Sequence, residues 1–258
     1  MIHPEGRPIR RRDLLIAATA VGVVIALPRV RRVLQPPFEF QPLRRISGFR
    51  RLSGGSMSGA AAVFVGVDTV TEDQQRLRDN VAKNPCLAVF GPEGWSDDRV
   101  PIAVFTDYNC PYCPILSDLV IGLEAEGVPI RPIWHDLPVL GPRSEAAALA
   151  AIAAGQQDAY LPVHEYLMRT VLRPGPGPLV RIAETFGLDS EQFQKDVKSR
   201  PVAQKIEQSE AIAAVFGLIG TPATIVGRTV VVGDIDRDTL LRLIEIERSE
   251  PFDGCSQN

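Results

Sequence analysis

An α/β fold is predicted for this 258-residue chain, on three observations. Residues 100–106, VPIAVFT, form an apolar run suited to a buried strand, and helical sequence follows within a few positions. From about 142 to 216 every periodic segment reads as helix, with Gly and Pro at the breaks. Two β-branched runs then come at about 223–227 and 229–233, joined through Gly227 and Arg228, and a last helix closes the pattern. The order β-α-β, several helices, β-β-α describes an α/β domain with an inserted helical subdomain.

The elements follow in order. Residues 1–28 read as an export signal or an N-terminal anchor: Arg10, Arg11 and Arg12 precede a 14-residue apolar run at 14–27. Arg11 and Arg12, with Asp13, Leu14 and Leu15, resemble a twin-arginine address. Fourteen helical residues reach only ~21 Å against a hydrocarbon core of ~30 Å, which favours a signal over a spanning helix. No small-x-small cleavage site follows Leu27, and Arg29, Arg31 and Arg32 flank its far side, so an uncleaved anchor stays open. Residues 29–70 read as a poorly ordered linker, from Pro28, Pro36, Pro37 and Pro42 and then SGGSMSG at 53–59. Residues 60–66 fit either a short strand or a processing region.

The main domain is expected over 71–250, with 251–258 a C-terminal tail. Thr71 and Asp73 supply capping chemistry for a polar helix over 71–83, which Asn84 and Pro85 stop. Strand 100–106 leads to a helix over 111–126 ended by Gly127. The next strand, 128–134, carries Pro129 and Pro132, which suit an edge position or a distortion. Residues 144–154 are alanine-rich and helical, with Ser144 and Glu145 at the start. Further helices are predicted over 158–172, 178–186, 189–198 and 201–216, and the last over 236–248.

Composition limits the function. The chain is 45% hydrophobic, enough for one substantial core. Residues 1–51 hold eleven arginines against Glu5, Asp13 and Glu39, a net +8, so the remainder carries −11 within the total of −3. An acidic globular part argues against nucleic acid as a partner.

The chemistry is concentrated in Cys110 and Cys113, separated by Pro111 and Tyr112 and placed between strand and helix. Two intervening residues let both sulfurs close one small disulfide ring. The unsatisfied N–H groups and positive dipole end of the helix stabilise a thiolate there. Pro111 suits a first helical position, where no N–H is needed. The competing reading is a structural or metal-binding pair. Zinc usually takes four ligands, and no second closely spaced pair exists, so no metal is assigned. Near the far end, Thr221 and Pro222 precede a β-branched run, as a loop entering a strand would.

These residues carry a resemblance. The stretches FTDYNCPYC at 105–113, LPVLGP at 137–142, GTPA at 220–223 and VGDI at 232–235 occur in the order seen in DsbA-family thiol:disulfide oxidoreductases, nearest the periplasmic ScsC-like branch. The resemblance spans about 71–248 and implies a thioredoxin fold with a helical insertion over about 142–216. It implies that Cys110 is the exposed nucleophile and Cys113 the buried resolving cysteine. It also implies that Pro222 is cis and that Thr221 binds extended substrate backbone and tunes the redox poise; an ordinary X–Pro turn is the alternative. No bound cofactor is expected. The implied partners are protein thiols or disulfides of exported proteins and a membrane redox partner that recycles the dithiol, at the periplasmic face. The motif serves an oxidase, or a reductase or isomerase kept reduced; a dithiol metal-binding or chaperone module is a further alternative. Oligomeric state stays open.

Two cysteines remain. An even count in an oxidising compartment favours a structural Cys86–Cys255 disulfide, against two free thiols or an intermolecular link. His135 beside Asp136, and His164 with Tyr160 and Tyr166, read as structural rather than catalytic, and His3 falls in the leader. Asp107 reads as a capping or solvated carboxylate, and Trp95 has no assigned role.

Overall fold

A mixed six-stranded sheet forms the centre of the protein, in the order β1-β2-β6-β5-β3-β4. The computed structural model describes residues 36–59, 70–92, 98–173, 175–250 and 255. The leader, His3, residues 60–66 and Trp95 lie outside the described residues. Strands β1 (Gln41–Pro42) and β2 (Arg50–Ser53) come first, then helices α1 (Glu72–Lys83) and α2 (Pro85–Phe90). Strand β3 (Val100–Thr106), helix α3 (Cys113–Ala125) and strand β4 (Ile130–Asp136) make the β-α-β unit. The insertion follows as α4 (Pro142–Ala154), a 3₁₀ turn (Gly155–Gln157), α5 (Tyr160–Arg169), α6 (Pro176–Phe186), α7 (Ser190–Asp196) and α8 (Arg200–Phe216). Strands β5 (Ala223–Val226) and β6 (Thr229–Val232) and helix α9 (Arg237–Ser249) complete the α/β pattern.

Local chemistry accounts for the boundaries. Thr71 and Gln74 form a reciprocal capping box at the start of α1, a device of the kind worth about 1 kcal/mol. Pro85 does end α1, but it also fills the first turn of α2, where its missing N–H is not needed. Asp236 accepts from the Thr239 amide at 2.9 Å and starts α9. Every residue of β3 is buried, because β3 pairs parallel with β4 and antiparallel with β5 and helices cover its faces. Strand β4 runs two residues later than the expected 128–134, so Pro129 falls outside it, and with β3 as its partner it takes the edge position that Pro132 suits.

The linker expected over 29–70 is corrected by the two strands within it. Strand β2 pairs parallel with β6 over four residues. Phe49 packs edge-on against Phe216, with ring centroids 5.0 Å apart. Arg50 and Arg51 are both bound. Arg50 donates to Thr229 Oγ1 at 2.9 Å, and Arg51 donates to the Phe216 carbonyl, capping the end of α8 at 2.7 Å.

Two apolar clusters form the core. One lies on the sheet and includes Phe49, Phe105, Phe216, Ile225 and Val230. The other lies under the insertion, built on the alanines of α4 with Val163, Leu167 and Phe193, and it contains Cys110 and Cys113. The dithiol is therefore seated where the insertion meets the β3–α3 junction. No helix among the described residues is long and apolar enough to cross a membrane.

Candidate active site

Strand β3 ends at Thr106, and Asp107 then turns the chain toward the first cysteine. This carboxylate is buried, which only paired donors make tolerable. Its Oδ1 accepts from the Asn109 amide at 2.8 Å and the Ser144 hydroxyl at 2.6 Å. Its Oδ2 accepts from the Leu140 amide at 2.9 Å. The dithiol loop is thereby fixed to the 137–142 stretch and to the first turn of α4. The sequence reads Asp107 as capping or solvated; it is buried rather than solvated, and it pins the segment that carries the thiols.

Helix α3 starts at Cys113, two residues later than expected, so Pro111 lies in the preceding turn and Pro114 occupies the helix start. The Cys110 amide donates to the Asp107 carbonyl at 3.1 Å. The Asp107 amide in turn donates to Cys113 Sγ at 3.4 Å. Both cysteines are free thiols and both are buried, which corrects the exposed position expected for Cys110; they differ sharply in acidity. A hydrogen bond from the Cys113 thiol lowers the Cys110 pKa to about 6; burial opposes this, while Thr221, the Tyr112 backbone and Ser58 add donors. Cys113 moves the other way, pushed far above the ordinary thiol range by burial and by the neighbouring Cys110 sulfur. The surroundings favour ionisation of Cys110 and keep the proton on Cys113.

Thr221 faces this pair. The Thr221–Pro222 peptide is cis, and the Cys110 thiol donates to the Thr221 carbonyl at 3.3 Å. The Thr221 hydroxyl is buried and has no other partner, which leaves it free to donate once Cys110 is ionised. The structure thus brings together Cys110, Cys113, Thr221 and Pro222. Cys86 and Cys255 form a disulfide with Cα atoms 5.5 Å apart, in the sheet-side cluster rather than the one holding the dithiol.

The histidines sit behind the site. His164 is buried, with Tyr108 Oη 3.0 Å from its Nδ1 and Ser117 Oγ 3.1 Å from its Nε2. Burial lowers its pKa to about 3, so it stays neutral. His135 stacks on Phe105 and donates from Nε2 to the Val89 carbonyl; burial lowers its pKa to about 4. Asp136 accepts from Tyr160 Oη at 3.1 Å, and burial pushes its pKa up to about 7. A cavity of about 410 Å³ is lined by Trp134, Asp136, Tyr160 and Lys205 but by neither thiol. Among the described residues no three His, Cys, Asp or Glu side chains converge as a metal site.

Sequence reasoning missed two contributors. Tyr108 stands inside the dithiol stretch, and its place beside Asp107 was a usable signal. Ser58 sits in a Gly/Ser-rich run where nothing marks it.

Known proteins share this fold. A family model described as DSBA-like thioredoxin domain matches residues 114–245, just over half the chain. A thioredoxin-like oxidoreductase from Silicibacter pomeroyi DSS-3 is 34% identical, with TM-score 0.58, covering 64% of this chain and 98% of that one. The thiol-disulfide exchange protein alpha-DsbA2 from Wolbachia pipientis shares the fold at 22% identity and TM-score 0.57, covering 69% and 99%. The catalytic domain of Proteus mirabilis ScsC does so at 22% and 0.56, covering 67% and 99%. Among curated proteins, the Na(+)/H(+) antiporter NhaA 3 of Salinispora tropica is 31% identical over 125 residues, 48% of this chain and 19% of that protein. The match therefore spans about a fifth of that relative's length.

Proposed function

The chain belongs to the DSBA-like thioredoxin domain family, and from that premise we propose that it is a thiol:disulfide oxidoreductase in which Cys110 and Cys113 exchange disulfides with exported proteins at the periplasmic face. The observation that carries this reading is the opposed acidity of the two thiols. Stabilising the Cys110 thiolate stabilises the reduced form and makes the disulfide a donor. We take oxidation of client thiols as the working direction, with a reductase or isomerase kept reduced by its partner as the alternative.

In that direction a client thiolate attacks Cys110 Sγ of the Cys110–Cys113 disulfide. The S–S bond breaks, Cys113 leaves with the electron pair, and its high proton affinity draws a proton. A second client thiolate then attacks the client sulfur of the mixed disulfide and displaces Cys110 as a thiolate. The client has lost two electrons and the protein has gained them. A membrane redox partner removes them to restore the disulfide. Work beside a membrane is supported by the basic, apolar leader at 1–28 and by the likeness to a stretch of Na(+)/H(+) antiporters.

The test is the reduction potential of the pair, by equilibration with glutathione and trapping of free thiols. A value well above the glutathione couple supports the oxidase. A value near or below it moves the assignment to a reductase or isomerase kept reduced by its partner.

A further inference from the structure

Cys110 is 2% exposed. A thiol so covered cannot meet a cysteine on another polypeptide until something beside it moves. The candidate is the segment 54–59, which leaves β2, passes the end of β6 and crosses Thr221. The Gly55 amide donates to the Asp234 carbonyl at 2.9 Å, and the Asp234 amide to the Ser56 carbonyl at 2.8 Å. The Ser58 amide then donates to the Thr221 carbonyl, and the Thr221 amide to the Ser58 carbonyl, each at 2.7 Å. This is an antiparallel bridge, and it takes both backbone groups of the residue whose carbonyl also receives the Cys110 thiol.

The fit is close and shallow. A Cβ on Gly59 would come within 2.7 Å of the Ile219 carbonyl, and one on Gly220 within 2.5 Å of the Ser58 carbonyl, so glycine on both sides permits the approach. Yet the segment anchors itself with no buried apolar side chain. Gly54, Gly55, Ser56, Met57 and Gly59 are all exposed, and Ser58 is half-buried. Backbone hydrogen bonds at a surface hold it, and such segments open first. An extended polypeptide offers the same amide and carbonyl groups at the same spacing.

We propose that residues 54–59 are a displaceable internal strand that occupies the backbone-pairing slot at Thr221, so that a client must be an extended, incompletely folded segment that replaces Ser58 to reach Cys110. The proposal rests on Cys110 being the client-reactive thiol. While the strand is seated, its amide and carbonyl satisfy Thr221, and the Ser58 hydroxyl supports the thiolate. When it leaves, the incoming chain takes over the backbone bonds and brings its own sulfur alongside.

The experiment uses the full-length Cys113→Ala protein, disulfide-linked through Cys110 to an unfolded cysteine-containing peptide. Amide hydrogen exchange at Ser58 is expected to quicken at least tenfold on forming the complex, while Thr221 keeps its protection. Unchanged protection at Ser58 in the complex overturns the proposal. Gly59→Val, which drives a side chain into the Ile219 carbonyl and lifts the strand from Thr221, is expected to speed both the capture of insulin by Cys110 and its alkylation by iodoacetamide several-fold. Equal or slower capture by a folded Gly59→Val protein also overturns it. If neither peptide nor insulin is captured while iodoacetamide still alkylates Cys110, the redox reading itself fails, and the slot loses its client with it.

Discussion

Arg50 and Glu247 stand 197 residues apart in the chain, and the guanidinium donates to the carboxylate at 2.7 Å. The Glu247 side chain has no exposed surface, and each oxygen has further partners. Oε1 also accepts from the Thr229 hydroxyl at 2.6 Å, and Oε2 accepts from the Arg228 amide at 3.0 Å. One carboxylate thus joins β2, the β5–β6 turn and α9. Glu247→Ala removes the buried acceptor of the Thr229 hydroxyl and the Arg228 amide, while Arg50 keeps Glu250 and Thr229, so a loss of about 1–3 kcal/mol is expected. Glu247→Gln, which keeps an acceptor, is expected to lose less. Urea unfolding of both variants checks the ranking, and equal stability of Glu247→Ala and the parent would refute the clamp.

The two thiols have separable roles. Cys110→Ser is expected to reduce thiol exchange to background. Cys113→Ser should retain attack by Cys110 but accumulate mixed disulfides, because no resolving sulfur remains. Non-reducing gels with a client protein distinguish the two, and accumulation in Cys110→Ser instead would reverse the assignment.

Reactivity should follow the thiolate. With a Cys110 pKa of about 6, alkylation at that position is expected to reach a plateau above pH 7 and to fall as pH drops through 6. Thr221→Val removes a hydroxyl that supports the thiolate and is expected to move the midpoint upward, with a roughly threefold slower rate at pH 6. Because the folded pKa lies below the ordinary thiol value, the stability this thiolate gives the reduced protein is fully present above about pH 9. It is lost as pH falls toward 6. A midpoint near the ordinary thiol value would contradict the site electrostatics.

Asp136 makes the opposite contribution. Its folded pKa, about 7, lies above the unfolded value, so the native state holds a proton that the unfolded chain has released between about pH 4 and 7. Stability from this group is present at low pH and lost as pH rises through 7. Asp136→Asn keeps an acceptor for Tyr160 without the charge. It is expected to stabilise the protein at pH 8 and to leave it nearly unchanged at pH 4. Denaturant midpoints at the two pH values decide it; a larger gain at pH 4 would be incompatible.

The Cys86–Cys255 bond closes a loop between residues 169 apart. Replacing both cysteines by alanine is expected to cost about 2–5 kcal/mol, with chain entropy as the main source. The dithiol lies in the other core cluster, so the rate of Cys110 alkylation should hardly change. Thermal unfolding and alkylation on the same double variant test both halves.

Much of this could be read from the chain, and the exceptions share a cause. Strand β3 was legible to the residue, because a fully buried strand is a continuous apolar run. The cysteine pair was legible because its chemistry depends on local spacing. Strand β2 was not, since Arg50 and Arg51 find their partners at Glu247 and Phe216, which no local window contains. Glycine misled for a related reason. In the 53–59 run it suggests freedom, whereas at Gly59 the missing side chain provides room for another backbone. Composition cannot separate these two uses of the same residue; only the neighbour can.

The prolines in the outermost strands bear on the proposed handling of incompletely folded chains. Strand β1 includes Pro42 and strand β4 includes Pro132, and a proline has no N–H with which to extend a ladder. Both rims of the sheet are thus poor templates for a sticky, unpaired client. Backbone recognition is left to the short stretch at Thr221, directly beside the reacting sulfur. Under the proposed reading, a client that pairs at Thr221 finds little else on the sheet to hold, which favours turnover over coaggregation.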